Sequence, residues 1–483
     1  MSLREISFRG LRWSIVEKAF LTMVGILQLI IVVRYVEQAD LGLMAMTHTI
    51  LSLGGVFSDL GLGNSIIHKQ EKDHDKLSSL YWSYVIIGCL LTVIFSVASP
   101  SFAFFFNEGE LTLVVAITSF AFFTNGFIHL YQAMLYAEMK FRILSKIQII
   151  VTTFSFIVVT SLAIAGFGIY ALVLGLVTRT IINMLLMLIV GRKHFIPSIY
   201  LNVSEVREHL KFGLFQTGER IINTINTQFD TLIIGKLLGA EILGVYDVLK
   251  RLLGRPMQLI NPIVTRVSLP VLARVQKDSG KAGNLYIRQI LYLASINFPI
   301  YIYLALSSNV LIPYLLSENW MNPVNNSLFI LFCIYYMIYT IQNPIGTLIV
   351  ATGQVHRSFY YNLVAFLVFP LFLTWGAAKG IVFLLWCMIG FHSIMIFIAY
   401  QVLLKKAAIV PFKNFLCAIL LPLLLSSLAF GISKVLLRLL PINMFFESIS
   451  TFFCGTVAYL FISRKWNKIF LKELLNLYSL KGK

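Results

Sequence analysis

The chain has 483 residues, 58% of them hydrophobic and 12% charged, with a formal net charge of +18 and a mean hydropathy of +0.84. Soluble globular domains carry about 25% charged residues, so this composition excludes an ordinary soluble fold and points to an integral membrane protein. The basic excess alone does not choose between nucleic acid, a membrane surface and an anionic cargo; its distribution along the chain does.

Apolar runs of about 20 residues, long enough to cross ~30 Å of hydrocarbon, recur throughout. They predict fourteen helical spans, at about 11–36, 41–60, 78–105, 111–136, 143–165, 168–190, 212–238, 243–270, 285–313, 322–351, 358–378, 380–403, 415–437 and 442–463. Runs this continuous are helices, since a barrel strand alternates over about 10 residues. The first run is too long for a leader and lacks a small-residue cleavage site, so it reads as the first span. With a cytoplasmic N terminus and alternating spans, cytoplasmic segments hold 27 of the 39 Lys and Arg, among them Arg4, Arg9, Arg12, Lys140, Arg142, Arg192, Lys193, Lys405, Lys406 and the tail from Arg464. The outside loops hold three, Lys379, Lys434 and Arg438. This asymmetry predicts both termini in the cytoplasm and no nucleic-acid partner. The five cysteines lie inside apolar runs without CxxC spacing and read as packing residues.

The chain is duplicated. Shifted by 202 residues, Trp13 meets Phe215, Glu17 meets Glu219, Lys18 meets Arg220, Arg34 meets Lys236, Leu41 meets Leu243 and Gly42 meets Gly244. Further on, with a slightly longer offset, "AMLYAEMKFR" (133–142) is echoed by "TLIVATGQVHR" (347–357). Six spans followed by six similar ones, both sets starting on one side, form a parallel repeat of the kind transporters use. The expected organisation is an N-terminal lobe 1–190, a linker 191–211, a C-terminal lobe 212–403, and a segment 404–483 with spans 13 and 14. Val203, Val206 and Leu210 suit a short interfacial helix in the linker, and 466–480 suits another in the tail.

"RYVEQADLGLMAM" (34–46), "FSDLGLGNSIIH" (57–68) and "EMKFR" (138–142) resemble the signature stretches of Wzx-type polysaccharide flippases. These are the polysaccharide transport branch of the multidrug/oligosaccharidyl-lipid/polysaccharide (MOP) exporter superfamily, and the similarity is to its colanic-acid and teichuronic-acid members. Ala137 stands where that resemblance leads one to expect a basic residue. The resemblance implies two six-helix lobes around a central cavity in the bacterial cytoplasmic membrane. It also implies a cargo of oligosaccharide repeat units on undecaprenyl pyrophosphate, membrane lipids as surroundings, and a polysaccharide polymerase and glycosyltransferases as partners.

Charges within the spans give an independent reading. An Arg or Lys at bilayer centre costs about 2.5–3.5 kcal/mol on insertion scales, so cations there should face a polar interior. The basic residues assigned to spans rather than to flanking loops are Lys18, Arg34, Arg179, Arg220, Lys236, Lys250, Arg251, Arg255 and Arg266, against the acids Glu17, Asp59, Glu219, Asp230 and Asp247. That surplus suits an anionic cargo. Lys18, Arg179, Arg220, Arg251 and Arg255 are the candidate cargo-binding cations. Arg34, Lys236 and Arg266, near span ends, also suit snorkelling. Adjacent helix residues point about 100° apart, so Glu17 cannot pair well with Lys18. Each basic member either binds cargo or pairs with Glu17, Glu219 or the other lobe as a gate. Asp59 and Asp230 either couple transport to an ion or neutralise nearby bases. Gly54 and Pro256, equivalent in the repeat, either let helices bend or simply pack. No nucleotide-binding loop, zinc spacing or catalytic triad pattern is seen, so neither a cofactor nor an enzymatic activity is expected. The competing functions are a cation-coupled small-molecule exporter, which favours an acidic cavity, and a membrane polysaccharide polymerase, which needs a larger outside loop.

Overall fold

The structure is a computed structural model that describes residues 3–441 and 443–467; the helix expected at 466–480 therefore lies almost wholly outside the described residues. No strand occurs among the described residues, and the protein is all-helical. In chain order the helices are α1 (Leu3–Tyr35), α2 (Gln38–Asp59), α3 (Leu62–Lys69), α4 (His74–Phe106), α5 (Leu111–Thr118), α6 (Phe120–Ala137), α7 (Phe141–Ile164), α8 (Ile169–Gly191) and α9 (Val203–Arg274). There follow α10 (Ser279–Leu306), α11 (Ser308–Leu315), α12 (Pro323–Gln342), α13 (Pro344–Ala351), α14 (Val355–Ala377), α15 (Ile381–Ala399), a short α16 (Lys405–Ala407), α17 (Phe412–Arg438) and α18 (Met444–Trp466).

Twelve stretches among the described residues are helices long and apolar enough to cross a membrane. Their outer faces carry large apolar side chains in the open, such as Val97, Phe104, Leu371 and Phe461. Water would not tolerate so broad an apolar surface, and lipid requires it. This is a multi-pass membrane protein. The difference from fourteen lies in α9, where the sequence reading places spans seven and eight. It is one 72-residue helical stretch with non-helical backbone at Gly239 (φ 83°, ψ 176°). Its polar and charged residues, among them Asn223, Asn226, Gln228, Asp230, Lys236 and Arg255, dilute its hydropathy below that of the other twelve.

The duplication is visible in where helices break. Gly239 lies 202 residues after Glu37, which separates α1 from α2. The α6–α7 and α13–α14 turns match at an offset of 214. Met139 (φ 54°) and Gly353 (φ 71°) are both left-handed. The next amides, Lys140 N and Gln354 N, donate to Leu135 O at 2.9 Å and Ile349 O at 3.1 Å. Both are Schellman closures, which satisfy carbonyls that lipid cannot. Asp73 and Asp278 cap α4 and α10, accepting from Lys76 N and Lys281 N among others.

The described residues form two compact units, divided between Val248 and Leu249. In the first, α1 packs on α7, α7 on α8, and α4 on α6. Small residues let the last pair approach: a Cβ on Gly88 would lie 2.6 Å from Phe122 O, and one on Gly126 2.8 Å from Tyr84 O. Gly54 packs under the Phe95 and Phe122 rings, whereas Gly55 faces open space. A Cβ on Gly42 would stand 1.7 Å from Ala240 O, and one on Gly244 1.9 Å from Gln38 O. Shifting by 202 turns Gln38 into Ala240 and Gly42 into Gly244, so this contact between α2 and the second arm of α9 maps onto itself.

The linker is not a separate interfacial helix. Trp82 Nε1 donates to Ser198 O at 2.8 Å, and Asn202 N to Ser79 Oγ at 3.0 Å. Helix α9 then starts at Val203 with Val206 buried beside Phe195, while Val203 itself is exposed. His209 is buried, 2.9 Å from Ser65 Oγ. In the second unit α10 packs against α12 and α17, and α17 against α18. Tyr459 OH donates to Ser295 O at 3.0 Å, and Lys434 Nζ to Leu306 O, anchoring the last two helices on α10.

Two predictions follow from this packing. Gly42→Val and Gly244→Val should each abolish detergent-stable folded protein, while Gly55→Ala leaves it intact, as read by fluorescence-detected size exclusion; normal behaviour of both valine variants would contradict the contact. Burial, with Lys69 nearby, holds the His209 imidazole below its ordinary range. Its neutral form is then favoured in the folded state, so linker docking weakens as pH falls below the unfolded value of about 6.5. Exchange protection at 203–211, corrected for the intrinsic pH dependence of amide exchange, should fall on acidification, and His209→Gln should flatten that fall.

Candidate functional site

The charged residues in the membrane-embedded part sort by what they touch. Helix α2 ends at Asp59, and the two left-handed residues Leu60 (φ 45°) and Gly61 (φ 69°) turn the chain sharply into α3. The turn brings Gly63 N within 3.0 Å of Asp59 Oδ1, which also accepts from Tyr84 OH at 3.1 Å. The other oxygen, Oδ2, accepts from Arg220 Nη1 at 2.8 Å. Gly61 makes the approach possible, because its Cβ position lies 2.6 Å from Gly213 Cα on α9. The His129 ring packs on Tyr84 with centroids 5.3 Å apart. Asp59 is therefore fully engaged, while the Arg220 side chain stays 45% exposed and keeps donors for a ligand.

The structure thus joins Asp59 to Arg220, 161 residues apart in sequence. Neither Glu17 nor Glu219 pairs with Arg220: Glu17 Oε2 accepts from Ser145 Oγ at 2.6 Å, and Glu219 is exposed. Lys18 is exposed on α1 and Arg179 on α8, neither with an ion pair among the described residues. Asp230 is buried. It accepts from Tyr246 OH at 2.6 Å and Thr231 N at 2.8 Å, tying together the two arms of α9 across the Gly239 break. Lys236 lies over the Phe105 ring at 5.2 Å.

In the second unit Arg251 is exposed and Arg255 half-buried, one turn apart on α9. The helix between and beyond them is held by two tyrosines. Tyr301 OH donates to Leu253 O at 3.1 Å and accepts from Met257 N at 3.2 Å, bridging one turn next to Pro256. Tyr336 OH donates to Lys250 O at 2.7 Å, and the two rings stack at 6.0 Å. A side-chain hydroxyl inserted into the ladder is a recognised cause of a helix bend. These tyrosines, with Tyr84 and Ser145, were missed by sequence reasoning. Aromatic hydroxyls inside apolar runs were the only signal for three of them.

This arrangement can present cations to an anion while keeping one of them, Arg220, neutralised when no ligand is bound. Two tests follow. Asp59→Asn and Arg220→Gln should each lower thermal stability, with the double variant losing less than the sum; additive losses would mean the pair is uncoupled. Tyr301→Phe strands a buried carbonyl and amide, for about 1–3 kcal/mol of destabilisation, and should lower thermal stability without reducing membrane insertion.

A family model described as polysaccharide biosynthesis protein matches residues 31–325. Lipopolysaccharide biosynthesis protein WzxC of Escherichia coli (strain K12) is 28% identical over 438 residues, covering 88% of this chain and 86% of WzxC. Teichuronic acid biosynthesis protein TuaB of Bacillus subtilis (strain 168) is 27% identical over 433 residues, covering 88% of each. Among solved structures, the lipid II flippase MurJ in an inward closed conformation superposes with a TM-score of 0.75 at 15% identity, covering 96% of this chain and all of that one. The last likeness establishes the fold. With the family model matching more than half of its length, the chain belongs to the polysaccharide biosynthesis protein family.

Proposed function

We propose that this protein is a flippase. It moves oligosaccharide repeat units linked to undecaprenyl pyrophosphate across the bacterial cytoplasmic membrane, for cell-surface polysaccharide synthesis, by alternating access. The observation that carries the reading is a surplus of basic residues within the spans, of which Lys18, Arg179 and Arg255 have no ion pair among the described residues, in a chain whose fold is that of a lipid II flippase. Lipid phosphate is the anion such cations suit. Lys18, Arg179, Arg220, Arg251 and Arg255 bind cargo; Glu17, Glu219, Asp59 and Asp230 hold the empty state or couple it. Residues 1–190 and 212–403 act as the two lobes, with fourteen spans in all and both termini cytoplasmic. A polymerase and glycosyltransferases work with it on the same lipid.

The chemistry explains why arginine matters. A guanidinium engages a phosphate through two parallel N–H donors, which an ammonium cannot reproduce. An incoming diphosphate competes with Asp59 for Arg220, so binding loosens the Asp59 contact and gives the cargo a differential affinity between two states, as any ligand-driven shift requires.

A strain lacking the gene should lose surface polymer and accumulate lipid-linked repeat units, and the wild-type gene should restore export. Arg179→Ala and Arg255→Ala should fail to restore it although inserted, and Arg→Lys should restore it in part; full export by both alanine variants would place cargo binding elsewhere. Cysteine labelling should find positions 193 and 406 accessible from the cytoplasm and 108 and 318 from outside. The reverse pattern would overturn the direction of transport.

A further inference from the structure

The start of the apolar span in α1 and the start of α7 meet around one aromatic ring. Trp13 lies in the first turn of the Arg12–Tyr35 span, while Arg142 and Lys146 open the Phe141–Ile164 span. Arg142 Cζ sits 5.4 Å from the Trp13 ring centroid and Lys146 Nζ 6.0 Å from it. One turn deeper on the same face of α1, Glu17 accepts from Ser145 Oγ and fixes the register of the two helices. Both cations are exposed.

The cluster works against the stability of the unliganded protein in three ways. Like charges at i and i+4 repel. Cations in the first turns of a helix oppose its macrodipole, which favours anions there. Neither Arg142 nor Lys146 has an ion pair among the described residues, since the neighbouring Glu138 pairs with Lys140 at 2.5 Å. An anion between the two cations removes all three penalties at once. A guanidinium packed over a ring keeps its in-plane donors available, and those match a phosphate. The depth also selects the ligand: an indole at the edge of an apolar span marks the headgroup layer. There each Lys or Arg gains about 1 kcal/mol from an anionic surface.

We propose that Trp13, Arg142 and Lys146 form a binding site for the phosphate of an anionic membrane lipid. The phosphate comes either from a bulk glycerophospholipid or from a polyprenyl diphosphate. Only the second source rests on the proposed flippase function, where this site would be the first station of the cargo, ahead of Arg220.

The test is lipid retention by the purified full-length protein in nanodiscs, read by native mass spectrometry with phosphatidylglycerol, undecaprenyl diphosphate and phosphatidylcholine as probes. The wild type should retain one or both anionic probes over phosphatidylcholine. Arg142→Gln with Lys146→Gln should weaken retention about ten-fold or more, as expected for losing charge-assisted contacts, and Arg142→Lys should fall between. Trp13→Leu, which keeps both charges, guards against misfolding of the double variant and should weaken retention by a smaller factor. Preference for undecaprenyl diphosphate assigns the site to the cargo; equal or greater retention of phosphatidylglycerol assigns it to bulk lipid, whatever the outcome of transport assays. Wild-type retention by the double variant, or phosphatidylcholine held as well as the anionic lipids, would overturn the site.

Discussion

The arrangement depends on one constraint: a charge inside hydrocarbon must meet an opposite charge, a hydrogen-bond partner or a polar interior. The carboxylate of Asp59 meets it most fully, with Gly63 N and Tyr84 OH on one oxygen and Arg220 on the other. Removing a single partner leaves the rest to carry an unbalanced buried charge, which is costlier than the pair is stabilising. Such a pair is a poor source of stability; in the proposed function it serves as a switch, because an anion presented to Arg220 competes with Asp59.

Glycine is what allows the backbone to meet this constraint. The approach of Gly61 to Gly213 sets Arg220 against Asp59, and the self-mapping contact of Gly42 with Ala240 and Gly244 with Gln38 locks α2 to the second arm of α9. Between those points Thr49 Oγ1 donates to Gln228 Oε1 at 3.0 Å. Without a hydrophobic driving force between helices, close backbone packing and hydrogen bonds of this kind hold them together. The same economy appears in the second unit, where Tyr301 and Tyr336 satisfy the backbone beside Pro256 and so fix the segment that carries Arg251 and Arg255.

Much of the fold was legible in the sequence because lipid imposes length and apolarity on each span. The repeat was legible too: Glu17 with Lys18 and Glu219 with Arg220 align at 202 residues, and the structure breaks its helices at Glu37 and Gly239 on the same offset. The expected spans seven and eight are not among the twelve apolar helices, because α9 carries Asp230, Lys236, Arg251 and Arg255. Local pattern left Glu17, Glu219 and the other lobe as partners for Arg220, and nothing local pointed to Asp59, since the contact closes a long loop through the α2–α3 turn. Trp13 and Ser145 looked like unremarkable span residues, and only the packing of α1 on α7 gives them partners.

The central claim is that this chain itself carries a lipid-linked, phosphate-bearing oligosaccharide across a bilayer, and that Arg220 takes part. Its most direct measurement uses proteoliposomes with purified protein and a defined undecaprenyl-diphosphate oligosaccharide, following the appearance of sugar on the opposite leaflet by accessibility to a lectin. The account predicts translocation that requires the protein and is lost in Arg220→Gln. Equal rates in protein-free vesicles, or an Arg220→Gln variant as fast as the wild type, would contradict it.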